Sequence, residues 1–381
     1  MKALVLGAGN IGSIATEDLS ASMTSAEIVV ADKDQTRAKS VADRIRKSNV
    51  SSIQLDITHR NQLLETLKDF DLAMGFLPGN LGYSLMEACI EARKNLVDVS
   101  YMAENPMNLN SAAAKAGILI VPDCGLAPGI SNFLVGHACG KLDTIKAVHI
   151  MVGGLPEKPV PPLGYTITWS PESLIDEYTR KAVIVKHGEK IEVEALSGTE
   201  IIEFPKIGKL EAFYTDGLRT LAHTIDGEDM WEKTLRHPGH VEKIKLLEAL
   251  GFFEEEKVRV ENTEVSPRKL TAKLFQQKLH KTDIKDIVAL KVEVSGSKNG
   301  KNTHYTYHLM DKYDQSQETT AMARTTAYPM SIVAQLILNR VIEKNGVIPP
   351  EKLGMDDQVF GLFMNGLKKH GTNIIEEKLA D

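Results

Sequence analysis

Three glycines near the N-terminus, Gly7, Gly9 and Gly12, with Asn10 and Ile11 between the last two, have the Gly-x-Gly-x-x-Gly spacing that can cradle a dinucleotide phosphate. Gly7 allows a tight turn, Gly9 removes a side chain that would block a pyrophosphate, and Gly12 lets a helix pack closely. Twenty residues on, Asp32 stands where a carboxylate accepts both ribose hydroxyls and repels a 2′-phosphate, which favours NAD over NADP. Lys33 and Arg37 beside it could tolerate that phosphate. Further along, Asp56 either borders the adenine or caps a helix. Leu77, Pro78 and Gly79 belong to a loop that either lines the cofactor or serves only as a turn. Ser100, Tyr101 and Asp123 follow two later apolar runs, and these tips should meet near the nicotinamide.

These residues need strands to deliver them. Apolar runs at Ala3–Leu6, Ala26–Ala31, Ile53–Ile57, Asp71–Leu77, Leu96–Val99 and Gly117–Val121 alternate with helical patterns over short connections. That alternation predicts a Rossmann-type doubly wound parallel sheet, an α/β fold. The domain is expected to span residues 1–129 and to be completed by about 325–381. From 130 to 324 the pattern changes to a second, α+β domain with a mixed sheet that shapes the substrate site. Strands are expected at Lys146–Val152, Tyr165–Trp169, Ala182–Val185, Lys190–Glu194, Val288–Ser295 and Thr303–Asp311. Asn299-Gly300 signals a hairpin between the last two. Helices are expected at Val241–Leu250, near Pro267–Leu279 and at Met330–Ile342.

The chain has 381 residues, 43% of them hydrophobic, enough for two cores. A net charge of −6 leaves no basic face for nucleic acid, and no apolar run has the length of a membrane span. Three cysteines, Cys89, Cys124 and Cys139, are odd in number and lack metal-ligand spacing. No metal site is expected, and with no leader ahead of the first strand a cytoplasmic location is. Cys124 reads as a buried packing residue before it reads as a nucleophile.

Later stretches, in their order, resemble the saccharopine dehydrogenase family and most closely its lysine 6-dehydrogenase branch. They are Asp98-Val-Ser-Tyr-Met102, Cys124-Gly-Leu-Ala-Pro-Gly129, Val152-Gly-Gly-Leu-Pro156, Ile167-Thr-Trp-Ser-Pro171, Glu177-Tyr-Thr-Arg180, Phe213–Arg219 and Thr234–His240. The resemblance implies NAD-linked oxidation of an amine on a small amino-acid substrate, in a homodimer or larger homo-oligomer. One departure is Ala127, where the saccharopine-forming reductases resemble Cys-Gly-Leu-Asp-Pro-Gly.

Oxidising the ε-amine of lysine requires its ammonium to lose a proton. With a pKa of about 10.4 this costs roughly 4.6 kcal/mol at pH 7 unless the site helps. Asp123 could hold the ammonium and assist, or it could cap a turn before Gly125; Tyr101 or Ser100 could hydrogen-bond the amine or the attacking water. Tyr101 could equally be an aromatic wall. For the α-carboxylate the candidates are Arg219 and Arg236, whose guanidinium planes grip two oxygens, with Asp216 for the α-ammonium. An ordinary ion pair is the competing fate of each. His240 and His237 are weaker candidates. Saccharopine or carboxynorspermidine is the alternative substrate, and a nucleotide sensor or scaffold without turnover is the non-enzyme alternative.

Overall fold

In the computed structural model, which describes residues 1–281 and 284–380, the chain divides into two units. One comprises Met1–Lys141 and Ala323–Asn373; the other comprises Leu142–Met322 and the segment from Ile374. The boundary expected after residue 129 therefore falls after Lys141. The reason is packing: Phe133 stacks on Phe363 at 3.8 Å, and Gly136 fits where an added Cβ would lie 2.0 Å from the Glu351 carbonyl oxygen. The segment expected to close the nucleotide domain likewise gives its last strand to the second unit.

The first unit runs β1 (Lys2–Leu6), α1 (Asn10–Ser22), β2 (Glu27–Asp32), α2 (Gln35–Ile45), β3 (Val50–Gln54), α3 (Arg60–Leu67), β4 (Leu72–Gly75), α4 (Gly79–Ala92), β5 (Asn95–Asp98), α5 (Asn110–Ala116), β6 (Leu119–Val121) and α6 (Ile130–Lys141). In the second unit the order is β7 (Thr144–Pro156), α7 (Pro171–Thr179), β8 (Ala182–Lys186), β9 (Glu189–Val193), β10 (Glu200–Phe204), β11 (Gly208–Tyr214), α8 (Leu221–Thr224), β12 (Gly227–Arg236), α9 (His240–Ala249), β13 (Val258–Val260), β14 (Thr263–Val265), α10 (Pro267–Leu279), β15 (Asp286–Lys298) and β16 (Lys301–Lys312). Then α11 (Ala321–Leu338), β17 (Gly346–Val347), α12 (Pro350–Gly354) and α13 (Asp357–Lys369) complete the first unit, and β18 (Ile374–Ala380) the second.

The first sheet has the order β17-β6-β5-β4-β1-β2-β3 with parallel pairing throughout. Strands such as Ala3–Leu6 and Leu72–Met74 are apolar without alternation and fully buried, as strands covered on both faces must be. Truncating one of them, Leu4→Ala for example, would cost about 2–5 kcal/mol. The strand order reverses between β1 and β4, and open α/β sheets bind ligands outside the carboxyl ends of strands at such a point.

The second sheet orders β10-β11-β12-β7-β15-β16-β18, antiparallel except where β12 meets β7, with β8 attached to β12 and β9 to β8. Lys298 pairs with Lys301 across Asn299-Gly300, both at positive φ, which is the two-residue hairpin turn the dipeptide signals. Three expectations are corrected. The third strand begins at Val50, not Ile53, and the long helix runs Ala321–Leu338 with Pro329 inside it. Tyr165–Trp169 pairs with no strand among the described residues: Tyr165 and Ile167 bury into a cluster with Leu174, Tyr178 and Phe275, and the Trp169 indole donates to the Tyr165 hydroxyl at 3.1 Å. Burial on that cluster, not sheet pairing, makes its alternation.

Candidate active site

The glycine turn fits a dinucleotide. Gly7 sits at φ +110°, and an added Cβ would lie 2.4 Å from the Phe76 carbonyl oxygen, so the turn closes against the chain leaving β4. A Cβ on Gly12 would lie 2.0 Å from the Gly7 oxygen, which presses α1 onto the turn. Gly9 differs: it is exposed, and a Cβ there would meet nothing within 4 Å. It precedes α1, whose first turn has no side-chain cap. Orphan N–H donors, the positive end of the helix dipole and open space above them suit a pyrophosphate. Asn10 is exposed and Ile11 half-buried in that first turn.

Asp32, at the end of β2, accepts from the Ala8 N–H at 2.9 Å through Oδ2 and from the Asp34 N–H at 2.9 Å through Oδ1. Its carboxylate is thereby fixed beside the glycine turn. Lys33 is exposed. Asp56 lies beyond β3 and does not cap α3, whose N-cap is His59. Instead it accepts from the Thr58 N–H and hydroxyl at 3.0 and 2.7 Å, and these bonds hold its carboxyl below the usual carboxylate range. Leu77 is half-buried and Pro78 is the N-cap of α4. Because α4 begins at Gly79, Gly79 to Gly82 is a helical turn and not a loop. A Cβ on Gly79 would lie 2.2 Å from the Tyr101 carbonyl oxygen, so this glycine brings α4 against the chain leaving β5.

At the tips of β5 and β6 the structure adds a residue the sequence reading passed over. Asp98 is fully buried, and its Oδ1 accepts both the N–H of Ser100 at 2.9 Å and the Ser100 hydroxyl. Glycines make the space: a Cβ on Gly75 would lie 2.0 Å from Asp98 Oδ2, and one on Gly82 would lie 1.9 Å from Ser100 Oγ. Among the described residues Asp98 Oδ2 has no hydrogen-bond partner, and desolvation pushes the carboxyl up to about 7 against the lowering effect of Ser100. The Ser100 hydroxyl is turned inward onto Asp98 beneath α4, so it is not presented to an amine as expected. Tyr101 is half-buried at the exit of the same strand. Asp123 follows β6, is 1% exposed and takes φ +52°, a left-handed conformation that Asp tolerates better than most residues. The Cys124 N–H donates to the Asp98 carbonyl at 2.9 Å, tying the two tips together. The Cys124 thiol is buried, and desolvation raises its pKa well above the ordinary thiol value, which makes it a packing group.

In the second unit the candidate cations are already engaged. Glu211, Phe213 and Thr215 continue one face of β11, and the register sets them against Glu232, Thr234 and Arg236 on one face of β12. Arg236 is buried, donates through Nη2 to Glu177 Oε1 and Oε2 at 2.9 and 3.1 Å, and lies 4.5 Å from the centre of the Tyr165 ring. Its expected role as carboxylate anchor is thus met internally by Glu177. Arg219 Nη1 and Arg180 Nη1 approach Asp216 Oδ2 at 3.7 and 3.6 Å, so Asp216 bridges two guanidinium groups. His240 is a structural donor: its ring contacts the Leu163 carbonyl at 3.0 Å through Nδ1, which must carry the proton, so Nε2 accepts from the Tyr178 hydroxyl at 2.8 Å. Burial, with Arg236 nearby, holds it down to about 3, and it stays neutral. Glu211 caps α9 by accepting from the His240 and Val241 N–H groups at 2.9 Å each. Glu177, Glu232, Thr215 and Thr234 escape a sequence reading that treats polar strand residues as solvent-facing. Their period of two, Glu232-x-Thr234-x-Arg236, is the signal that could have found them.

A parallel sheet with a glycine turn at its reversal point, a fixed carboxylate after the second strand and an accompanying mixed-sheet unit together describe a dinucleotide-dependent dehydrogenase. The chain belongs to the saccharopine dehydrogenase family: residues 3–121 match the saccharopine dehydrogenase NADP binding domain and residues 125–372 the saccharopine dehydrogenase C-terminal domain. It is 25% identical to the saccharopine dehydrogenase [NADP(+), L-glutamate-forming] of Schizosaccharomyces pombe, with 98% of each chain covered. It is 21% identical to the carboxyaminopropylagmatine dehydrogenase of Synechocystis, with 97% of each covered. Against the alpha-aminoadipic semialdehyde synthase of Arabidopsis thaliana the identity is 23% over 93% of this chain, which spans 41% of that relative. Its fold is that of the apo saccharopine dehydrogenase (L-Glu forming) of Saccharomyces cerevisiae, at a TM-score of 0.79, 20% identity and 99% coverage of both chains. It is accordingly an NAD(P)-linked oxidoreductase of the family that acts on amino-acid C–N bonds. Among the described residues no helix is long and apolar enough to cross a membrane.

Proposed function

We propose that the protein oxidises the ε-amine of L-lysine with NAD and water, yielding the 6-semialdehyde, which cyclises, ammonia and NADH. The observation that carries this reading is the balance of charge in the second unit. Arg180, Arg219 and Arg236 are each held by an internal carboxylate, Asp216 or Glu177, at 2.9–3.7 Å. A zwitterionic amino-acid end, with one carboxylate and one ammonium, can exchange with the Asp216–Arg219 pair without net charge change. Saccharopine brings more carboxylates and would require cations beyond those already matched.

A dinucleotide held at the glycine turn would supply the hydride acceptor for the ε-carbon. Asp123 receives the ammonium and assists its deprotonation, and Tyr101 borders the amine. The glycine turn and α1 hold the pyrophosphate. Asp32 favours NAD, although the matched domain and the yeast relatives are described with NADP. The test is a panel of L-lysine, saccharopine and carboxynorspermidine assayed for NAD(P)H formation at neutral and alkaline pH. Turnover of lysine alone supports the proposal; turnover of saccharopine alone replaces it with the activity named for the full-length relatives.

A further inference from the structure

Beneath the Asp216 turn, three short contacts run in series. Thr215 Oγ1 meets Glu232 Oε2 at 2.5 Å, Thr215 Oγ1 meets Thr234 Oγ1 at 2.8 Å, and Thr234 Oγ1 meets Glu177 Oε1 at 2.9 Å. All are buried. Each hydrogen bond needs one hydrogen, and the two threonines supply two hydrogens for three contacts. A third proton must therefore sit on one of the end carboxyls. It does not sit on Glu177, because both of that residue's oxygens accept from Arg236 at 2.9 and 3.1 Å, the geometry of a carboxylate on a guanidinium.

We infer that Glu232 is a neutral carboxylic acid that donates to Thr215, and that its proton fastens the Thr215-Asp216-Gly217 turn to the buried Arg236–Glu177 pair. Gly217 shows how closely the turn rests on the acid, since an added Cβ would lie 2.3 Å from Glu232 Oε2. The groups acting on Glu232 agree in sign. Desolvation is the largest influence raising it, Glu177 from α7 and Asp216 from the turn add to this, and Thr215 and Arg236 oppose; the balance pushes it up to about 8. When the proton leaves to solvent, Thr215 rotates to donate to the carboxylate. The Thr215–Thr234–Glu177 stretch is then one hydrogen short, so one contact becomes a pair of facing lone pairs. The turn that carries Asp216, with Arg180 and Arg219 around it, is thereby loosened in alkali. This holds whether or not the protein oxidises lysine.

The test uses the full-length protein with carboxyl-labelled glutamate and isotope-edited infrared spectroscopy. At pH 6 wild type should show a protonated glutamate side-chain band that titrates away near pH 8, and Glu232→Gln, whose amide can still donate to Thr215, should lack it. In Thr215→Val the ionised acid loses a donor, so the same band should persist to higher pH. Thermal midpoints give a second arm, with wild type losing about 4 °C relative to Glu232→Gln between pH 5.5 and pH 9.5. Absence of a protonated glutamate band at pH 6, its survival in Glu232→Gln, or parallel melting curves would overturn the inference.

Discussion

Replacing Asp98 with asparagine should make the protein more stable in alkali than in acid, measured relative to wild type. Asparagine keeps the oxygen that accepts from the Ser100 N–H and hydroxyl and puts an uncharged amide where Oδ2 now has no partner. Desolvation raises the aspartate from an ordinary 3.8 to about 7, so the folded state prefers the protonated form. The stability this acid contributes is fully present below its unfolded pKa and is lost as pH rises through 7. A shift of about 3 units amounts to roughly 4 kcal/mol in total, of which about 2 kcal/mol falls between pH 5.5 and pH 8.5. For a chain of this size that is about 2–3 °C in thermal midpoint. Differential scanning calorimetry of both proteins at pH 5.5, 7 and 8.5, without nucleotide, reads the difference directly. The Asp98→Asn curve should rise relative to wild type by that amount across the range. Parallel curves would refute the burial argument, and a relative fall would reverse its sign.

The remaining expectations are briefer. Gly9→Ala should melt like wild type because its Cβ meets nothing, yet lose about tenfold or more in nucleotide affinity by titration, whereas Gly12→Ala should destabilise the fold itself. Asp32→Ser should lower NAD affinity and narrow or invert the preference over NADP; an unchanged preference would remove the basis for choosing NAD. Arg236→Lys cannot keep both bonds to Glu177 and should cost about 3 kcal/mol in denaturant unfolding, while Arg219→Lys, if it recognises substrate, should raise KM with little change in melting. Turnover should climb from neutral to alkaline pH as the ε-ammonium, with a pKa of about 10.4, becomes easier to deprotonate.

The nucleotide-binding half was legible because each part of it has a local cause. The glycines report a turn that a Cβ would block, and the unbroken apolar runs report strands covered on both faces. The second unit was harder to read. On β12 the polar residues Glu232, Thr234 and Arg236 face inward and find partners on α7 and after β11, which sequence spacing alone does not disclose. The same blindness led Arg236 and His240 to be read as substrate ligands when Glu177 and Tyr178 already engage them. Asp98 was visible only as part of a family-like stretch; its burial depends on Gly75 and Gly82, distant in sequence and adjacent in space. Tyr165–Trp169 misled in another way: its apolar residues alternate in sequence, yet Tyr165, Thr166 and Ile167 are all buried on a core without joining a sheet.

Incubation with NAD and lysine labelled at the ε-amine, with ammonia and NADH quantified together, addresses the central proposal most directly. Labelled ammonia released in equal amount to NADH is the expected result. No labelled ammonia from lysine, alongside reduction of NAD or NADP by saccharopine with release of glutamate, would contradict it.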